Sequence, residues 1–227
     1  MKHLFQSSVG KKAFMGLTGI VLTGFAVGHL IGNLLIFAGP AALNAYALKL
    51  VHLWPLLWLA RFVLIVAVVV HIDLAIRLTF QNRSARPVGY AVTKPIQSTF
   101  AGRTMLISGL LLLLYVAYHL LHFTFGAADP SIAHLKDAAG HKDVYAMVVR
   151  AFQNKPVAFG YIAAMAMLCL HLSHGIGSMF QSLGLTNERL LPKLRVAGRL
   201  IAWLLFAGYS VIPVSILLGW VKLPGAH

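Results

Sequence analysis

TGIVLTGFAVGHL at residues 18–30 and SGLLLLLYVAYHL at residues 108–120 decide the fold of this chain. Each opens on a small hydroxyl residue followed by glycine, Thr18-Gly19 or Ser108-Gly109, and reaches a histidine ten residues after that glycine, His29 or His119. A second segment follows each. His71 runs on to Phe80-Gln81, and His171 runs on at the same spacing to Phe180-Gln181. All four histidines lie inside long apolar runs, so the chain reads as a duplicated two-helix unit with one buried histidine per helix. Four imidazoles related by pseudo-symmetry suit two bis-histidine haems.

Hydrophobic residues make up 59% of the chain and charged residues 11%. A soluble domain carries roughly half apolar and about a quarter charged residues, so this class is excluded. Five stretches are long enough to cross a bilayer, which takes roughly 20 apolar residues. They run approximately Ala13–Phe37, Pro55–Thr79, Thr104–Phe125, Val157–Phe180 and Val196–Trp220, joined by loops. The expected fold is an all-α integral membrane bundle of five helices, one domain over residues 1–227, with no soluble domain attached. The first run is too long for a signal-peptide core and no small-residue cleavage site follows it, so it is expected to remain as a span. Cys169 is the single cysteine. A disulfide framework and a CxxCH attachment are thereby excluded, and any haem is held non-covalently.

Lysine and arginine set the orientation. One group of connections carries Lys2, Lys11 and Lys12, then Arg77, Arg83, Arg86, Lys94 and Arg103, then Arg189, Lys193, Arg195 and Arg199. The other carries Lys49, Arg61, Lys136, Lys142, Arg150, Lys155 and Lys222, diluted by Asp129, Asp137 and Asp143. The first group is expected on the cytoplasmic side, with the N-terminus inside and the C-terminus outside. The formal net charge of +14 reads mainly as attraction to anionic lipid rather than to nucleic acid. Haem propionates and an acidic protein docked on the inner face are further anionic partners.

This orientation fixes depth. His29 and His119 come late in outward-running helices, and His71 and His171 late in inward-running ones. Each lies six to nine residues from its nearer helix end, or roughly 9–14 Å at 1.5 Å per residue. In a hydrocarbon core of roughly 30 Å this makes two layers, pairing His29 with His119 in the outer half and His71 with His171 in the inner half. A lone intramembrane histidine is often a helix contact. Four of them, paired by depth and repeated by spacing, read as ligands.

His122 and His174 follow His119 and His171 at i+3 and share their helix faces. The repeat favours His119 and His171, because His29 and His71 have no second histidine at that offset. His122 and His174 therefore read as polar contacts supporting the ligands. His52, His134 and His141, with terminal His3 and His227, read as interfacial or solvated. Gly28 and Gly32 flank His29, and Ala75 and Gly175 lie four residues after the inner histidines, leaving room for a macrocycle or a neighbouring backbone. Asp73 and Arg77 form an i,i+4 ion pair, with Arg77 on a haem propionate as the alternative.

These residues resemble the dihaem cytochrome b subunit of succinate dehydrogenase and fumarate reductase complexes, the five-helix type with a single anchor polypeptide. The likeness covers nearly the whole chain. It is carried by Ser8-Val9-Gly10-Lys11-Lys12, Gly28-His29-Leu30-Ile31-Gly32-Asn33, Asn44-Ala45-Tyr46 and Ser108-Gly109 through His119-Leu120-Leu121-His122-Phe123-Thr124. The most specific string is His171-Leu172-Ser173-His174-Gly175 through Ser178-Met179-Phe180-Gln181. The resemblance implies that the histidine followed four residues later by glycine is the ligand, which selects His171 over His174. It also implies a heterotrimer of respiratory complex II in a bacterial cytoplasmic membrane, open to higher assembly. A flavoprotein oxidises succinate, an iron–sulfur subunit carries the electrons, and this subunit anchors both and passes electrons through two haems b to a quinone, usually menaquinone.

A quinone needs donors to its two carbonyls at the edge of the apolar layer. Asn33, Asn44, Tyr46, His52 and Trp54 are available on the outer side, and Ser8, Lys11, Gln81 and Arg103 on the inner side. Two rival readings remain at this point. One is a dihaem cytochrome of another membrane oxidoreductase. The other is a divalent-metal transporter using the His119/His122 and His171/His174 pairs, although those pairs sit at different depths.

Overall fold

The computed structural model describes residues 7–85 and 99–225. Lys2, His3, Arg86, Lys94 and His227 lie outside them. Among the described residues, five helical runs are long and apolar enough to cross a membrane: Ser8–Ala38, Trp54–Ser84, Met105–Thr124, Lys155–Ser182 and Leu190–Leu217. They comprise α1 (Ser8–Asn33) with a 3-10 turn at Leu34–Ala38, α3 (Trp54–Ser84), α5 (Met105–His119) opening into a π turn at Leu120–Thr124, α8 (Lys155–Ser182) and α9 (Leu190–Leu217). Shorter helices lie between them: α2 (Pro40–His52), α4 (Phe100–Arg103), α6 (Pro130–Ala133) and α7 (Val144–Gln153). The extended pairing among these residues is one isolated bridge, Lys136 to Lys142. The chain is an all-α, multi-pass membrane protein.

Local chemistry explains where the helices begin. The Ser7 hydroxyl accepts the Gly10 N–H at 3.0 Å ahead of α1, and Thr99 accepts the Gly102 N–H at 3.1 Å ahead of α4. Asn187 accepts the N–H groups of Arg189 and Leu190 at 3.0 and 2.8 Å. Side-chain oxygens there satisfy donors that have no carbonyl one turn back. With Asn187 as cap, α9 starts at Leu190, six residues before the expected Val196. Pro192 is no obstacle, because proline is tolerated in a first helical turn. The second span runs on to Ser84, past the expected Thr79. That span is apolar all round: it buries Ala67 and Leu78, while Trp58, Phe62, Ile65 and Val69 are exposed. Such a surface suits lipid rather than water.

The chain divides into two compact units. The first comprises Met1–Phe25, Arg61–Leu110 and Leu168–Trp203. Small residues let its helices close together. A Cβ on Gly16 would lie 3.1 Å from the Met179 carbonyl oxygen, and one on Gly198 would lie 2.9 Å from the Ile176 Cβ. In a bilayer, where lipid removes the hydrophobic drive between helices, such close contact is what holds them.

The second unit comprises Ala26–Ala60, Leu111–Met167 and Leu204–His227. Ile36, Leu43, Val149, Phe152, Tyr161 and Ile212 belong to its core. A polar clamp secures α2 to α7. Asn44 Nδ2 donates to Asp143 Oδ1 at 3.0 Å, and Asn44 Oδ1 accepts the Tyr145 N–H at 3.0 Å. Asp143 also caps α7 by accepting the Ala146 N–H at 2.9 Å. The Tyr145 hydroxyl donates to the Lys222 carbonyl at 3.0 Å. Burial and the Asp143 carboxylate push this phenol up from its usual range, so it stays a donor. The sequence places α2 and α7 in loops, because neither is long or apolar enough to register as a span.

Candidate functional site

Each unit holds one histidine pair. In the first, His71 on α3 and His171 on α8 have ring centroids 6.4 Å apart and planes inclined at 60°. In the second, His29 on α1 and His119 on α5 have centroids 6.0 Å apart and planes at 86°. Two imidazoles bound through nitrogen on opposite sides of one metal, at bonds of ~2.0 Å, place their centroids ~6.3 Å apart. Both separations lie close to that figure.

The surroundings also fit a haem. The His119 Nδ1 is buried with no hydrogen-bond partner among the described residues. A buried nitrogen left so costs about 1–3 kcal/mol unless something else engages it. A Cβ on Gly28, next to His29, would meet open space, and one on Gly175 would meet nothing nearer than Met105 Cε at 4.0 Å. Gly32 differs, for the Tyr46 ring already fills its missing side chain, within 2.7 Å of where a Cβ would sit. No group of three or more His, Cys, Asp or Glu converges among the described residues. A haem would ask the protein for only two histidines, which each pair supplies.

Several contacts hold the His29/His119 pair. Asn33 Nδ2 donates to the His29 carbonyl at 2.7 Å, and the Tyr209 hydroxyl donates to the Ala26 carbonyl at 2.7 Å. The Tyr209 ring lies 6.3 Å from His29, and the Tyr115 and Tyr161 rings 5.9 and 6.0 Å from His119. These tyrosines carry no sequence signal beyond apolar spacing, and the sequence reading passes over them. In the first unit, hydroxyls of Thr18 and Ser108 lie 3.0 and 3.1 Å from the Nδ1 atoms of His71 and His171.

The neighbouring histidines have partners of their own. His122 is 2% exposed, and its Nδ1 pairs with the Tyr161 hydroxyl at 3.0 Å. It sits in the π turn that follows His119, where Phe125 N–H reaches back to the Leu120 carbonyl at 2.8 Å. Single π turns are frequent at functional positions. His174 stays in regular helix, and its Nε2 pairs with Ser178 Oγ at 3.0 Å. If the two pairs hold haem, replacing either residue with alanine is expected to leave the haem content unchanged while shifting a midpoint potential, since supporting residues tune a metal without emptying its site. Loss of a low-spin signal in either variant would show that the ligand is the other member of the pair.

Arg77 Nε donates to both Asp73 oxygens at 2.8 Å, as a largely exposed i,i+4 pair. The residues considered for quinone are scattered. Asn44 has both ends of its amide engaged in the α2–α7 clamp. It also borders an open cavity of about 520 Å³ lined by Leu48, Lys136, Asp137 and Asp143, among others, which Asn33, Tyr46 and His52 do not line. Ser8 and Lys11 lie in the first turn of α1, Gln81 near the end of α3, and Arg103 at the end of α4. A second cavity of about 460 Å³ is lined by Tyr115, Tyr118 and Tyr161.

A family model described as the succinate dehydrogenase/fumarate reductase transmembrane subunit matches residues 82–211, more than half of the chain. The match includes His119 and His171, while His29 and His71 precede it. No curated protein and no solved structure matches.

Proposed function

Because the chain belongs to the family of succinate dehydrogenase/fumarate reductase transmembrane subunits, we propose that it is the cytochrome b anchor of such a complex, carrying two haems b and passing electrons between an iron–sulfur subunit and a quinone. His29 and His119 hold one haem, and His71 and His171 the other. One observation carries this reading: both histidine pairs have the separation of imidazoles across a single metal, 6.0 and 6.4 Å. Bound haem supplies a one-electron ferric/ferrous couple. Two histidines would hold each haem, leaving it suited to electron transfer rather than to binding a small molecule. The apolar helices around them keep water out.

Oxidation of succinate or reduction of fumarate belongs to a flavoprotein partner. This chain anchors it through the iron–sulfur subunit, and quinone, read as menaquinone, exchanges from the surrounding lipid. Arg77, paired with Asp73 in the structure, would turn to a haem propionate as its alternative role. The duplicated two-helix unit is supported by the like contacts of Thr18 with His71 and Ser108 with His171. The membrane is the bacterial inner membrane, with the N-terminus cytoplasmic and the C-terminus outside. The iron–sulfur subunit docks on the inner face, on the connection 82–103 and the segment 186–199, where an acidic surface would complement Arg83, Arg189, Lys193 and Arg195.

The test is purification of the tagged chain from its native membrane. A flavin-bearing partner should co-purify, and the reduced sample should show the sharp α band of low-spin haem. Crosslinks from the soluble subunits should fall on Lys94 or Lys193, not on Lys136 or Lys142. Absence of flavin and α band together would sink the anchor reading, and crosslinks on Lys136 or Lys142 would reverse the docking face.

A further inference from the structure

We propose that Thr18 and Ser108 are positioning residues that fix the tautomer of the His71/His171 pair and thereby set the potential of the haem it holds. This rests on the reading above. Thr18 Oγ1 lies 3.0 Å from His71 Nδ1, and also 3.0 Å from the carbonyl oxygens of Phe14 and Met15. Ser108 Oγ lies 3.1 Å from His171 Nδ1 and 3.1 Å from the Met105 carbonyl oxygen. A hydroxyl has one proton to give, and a backbone carbonyl can only accept.

With that proton committed to its own helix, each hydroxyl offers His71 or His171 a lone pair. Nδ1 must then carry the imidazole proton and donate it. Nε2 is left with the free lone pair, the state in which a neutral imidazole binds a metal. The opposite tautomer would require each hydroxyl to abandon its helix carbonyl and would put a proton on Nε2.

The following residue completes the arrangement. A Cβ on Gly19 would lie 3.7 Å from His71 Cε1, and one on Gly109 would lie 3.4 Å from His171 Cε1. The imidazole therefore rests against the helix at a hydroxyl–glycine step, and the same step occurs for both ligands. An Nδ1–H bonded to an oxygen makes Nε2 a stronger base. A stronger donor favours ferric over ferrous iron, so the hydroxyls hold the potential of this haem down.

The experiment uses the whole complex with Thr18→Val and Ser108→Ala, which remove the hydroxyl and preserve or reduce bulk. Each variant should keep two haems per chain. One midpoint potential should rise, by about tenfold in the ferrous-to-ferric ratio at fixed electrode potential, or ~59 mV for a one-electron couple. The other potential should stay in place. Thr18→Ser and Ser108→Thr restore the hydroxyl and should restore the potential. Unchanged potentials in Thr18→Val and Ser108→Ala with both haems present would overturn the proposal. If a hydroxyl-free variant loses the haem instead, retention in the matching hydroxyl-bearing variant supports the proposal, and loss in both overturns it. An unaltered complex with no low-spin haem would overturn the functional reading itself, a result distinct from unmoved potentials.

Discussion

Alanine at His71 or at His171 should remove the same haem, halving haem content, and alanine at His29 or His119 should remove the other. The two pairs occupy separate compact units, with rings 6.4 and 6.0 Å apart. Alanine offers no nitrogen, and one remaining imidazole would leave a haem with a single protein ligand. The bundle itself should survive, because each substitution removes a side chain from a helix whose other contacts are untouched. Haem extraction with a redox titration on each of the four variants is the measurement. The pairing fails if His29→Ala and His119→Ala abolish different midpoints, or if His71→Ala leaves both.

The five spans were legible because apolar runs of that length have few other readings. Residue count along helices that alternate in direction predicts that His29 meets His119 and His71 meets His171, and their rings do lie 6.0 and 6.4 Å apart. What spacing along one chain could not supply was contact across helices. The repeat draws attention to Thr18-Gly19 and Ser108-Gly109 through their fixed distance to His29 and His119. Their hydroxyls in fact meet His71 and His171, on other helices. The expected face shared by His119 and His122 rests on a regular helix, but a π turn begins at Leu120, and no residue type announces it. Helices α2 and α7 were missed for a different reason. Pro40 in the first turn of α2 and Asp143 ahead of α7 are ordinary start signals, yet neither segment has the length that identified the spans. Asn187 is a similar case, since it caps α9 ahead of a proline that reads more readily as loop.

Gly126→Ala should be the most destabilising single methyl addition in the second unit. The chain leaves the π turn through Gly126, which adopts φ +68° and is buried. The N–H groups of Ala127 and Ala128 there return to the Leu121 carbonyl at 2.8 and 3.2 Å, so the reversal is fixed by the backbone. A left-handed residue with a Cβ costs about 1–2 kcal/mol from its own backbone alone. Here the Cβ would also overlap the Ala133 Cβ, a short side chain with no rotamer to yield. Relieving that overlap adds about 1–3 kcal/mol. Gly140 separates the two contributions, because it has φ +81° but a Cβ there would meet no atom within 4 Å. Gly140→Ala should therefore lose only the backbone share. In thermal denaturation of the detergent-solubilised protein, Gly126→Ala should melt well below Gly140→Ala. It should also release the haem proposed for His29 and His119 more readily, since His119 and His122 lie directly before this reversal. Equal losses from the two substitutions would mean that contact with Ala133 contributes nothing, and that the left-handed turn alone governs this end of the helix.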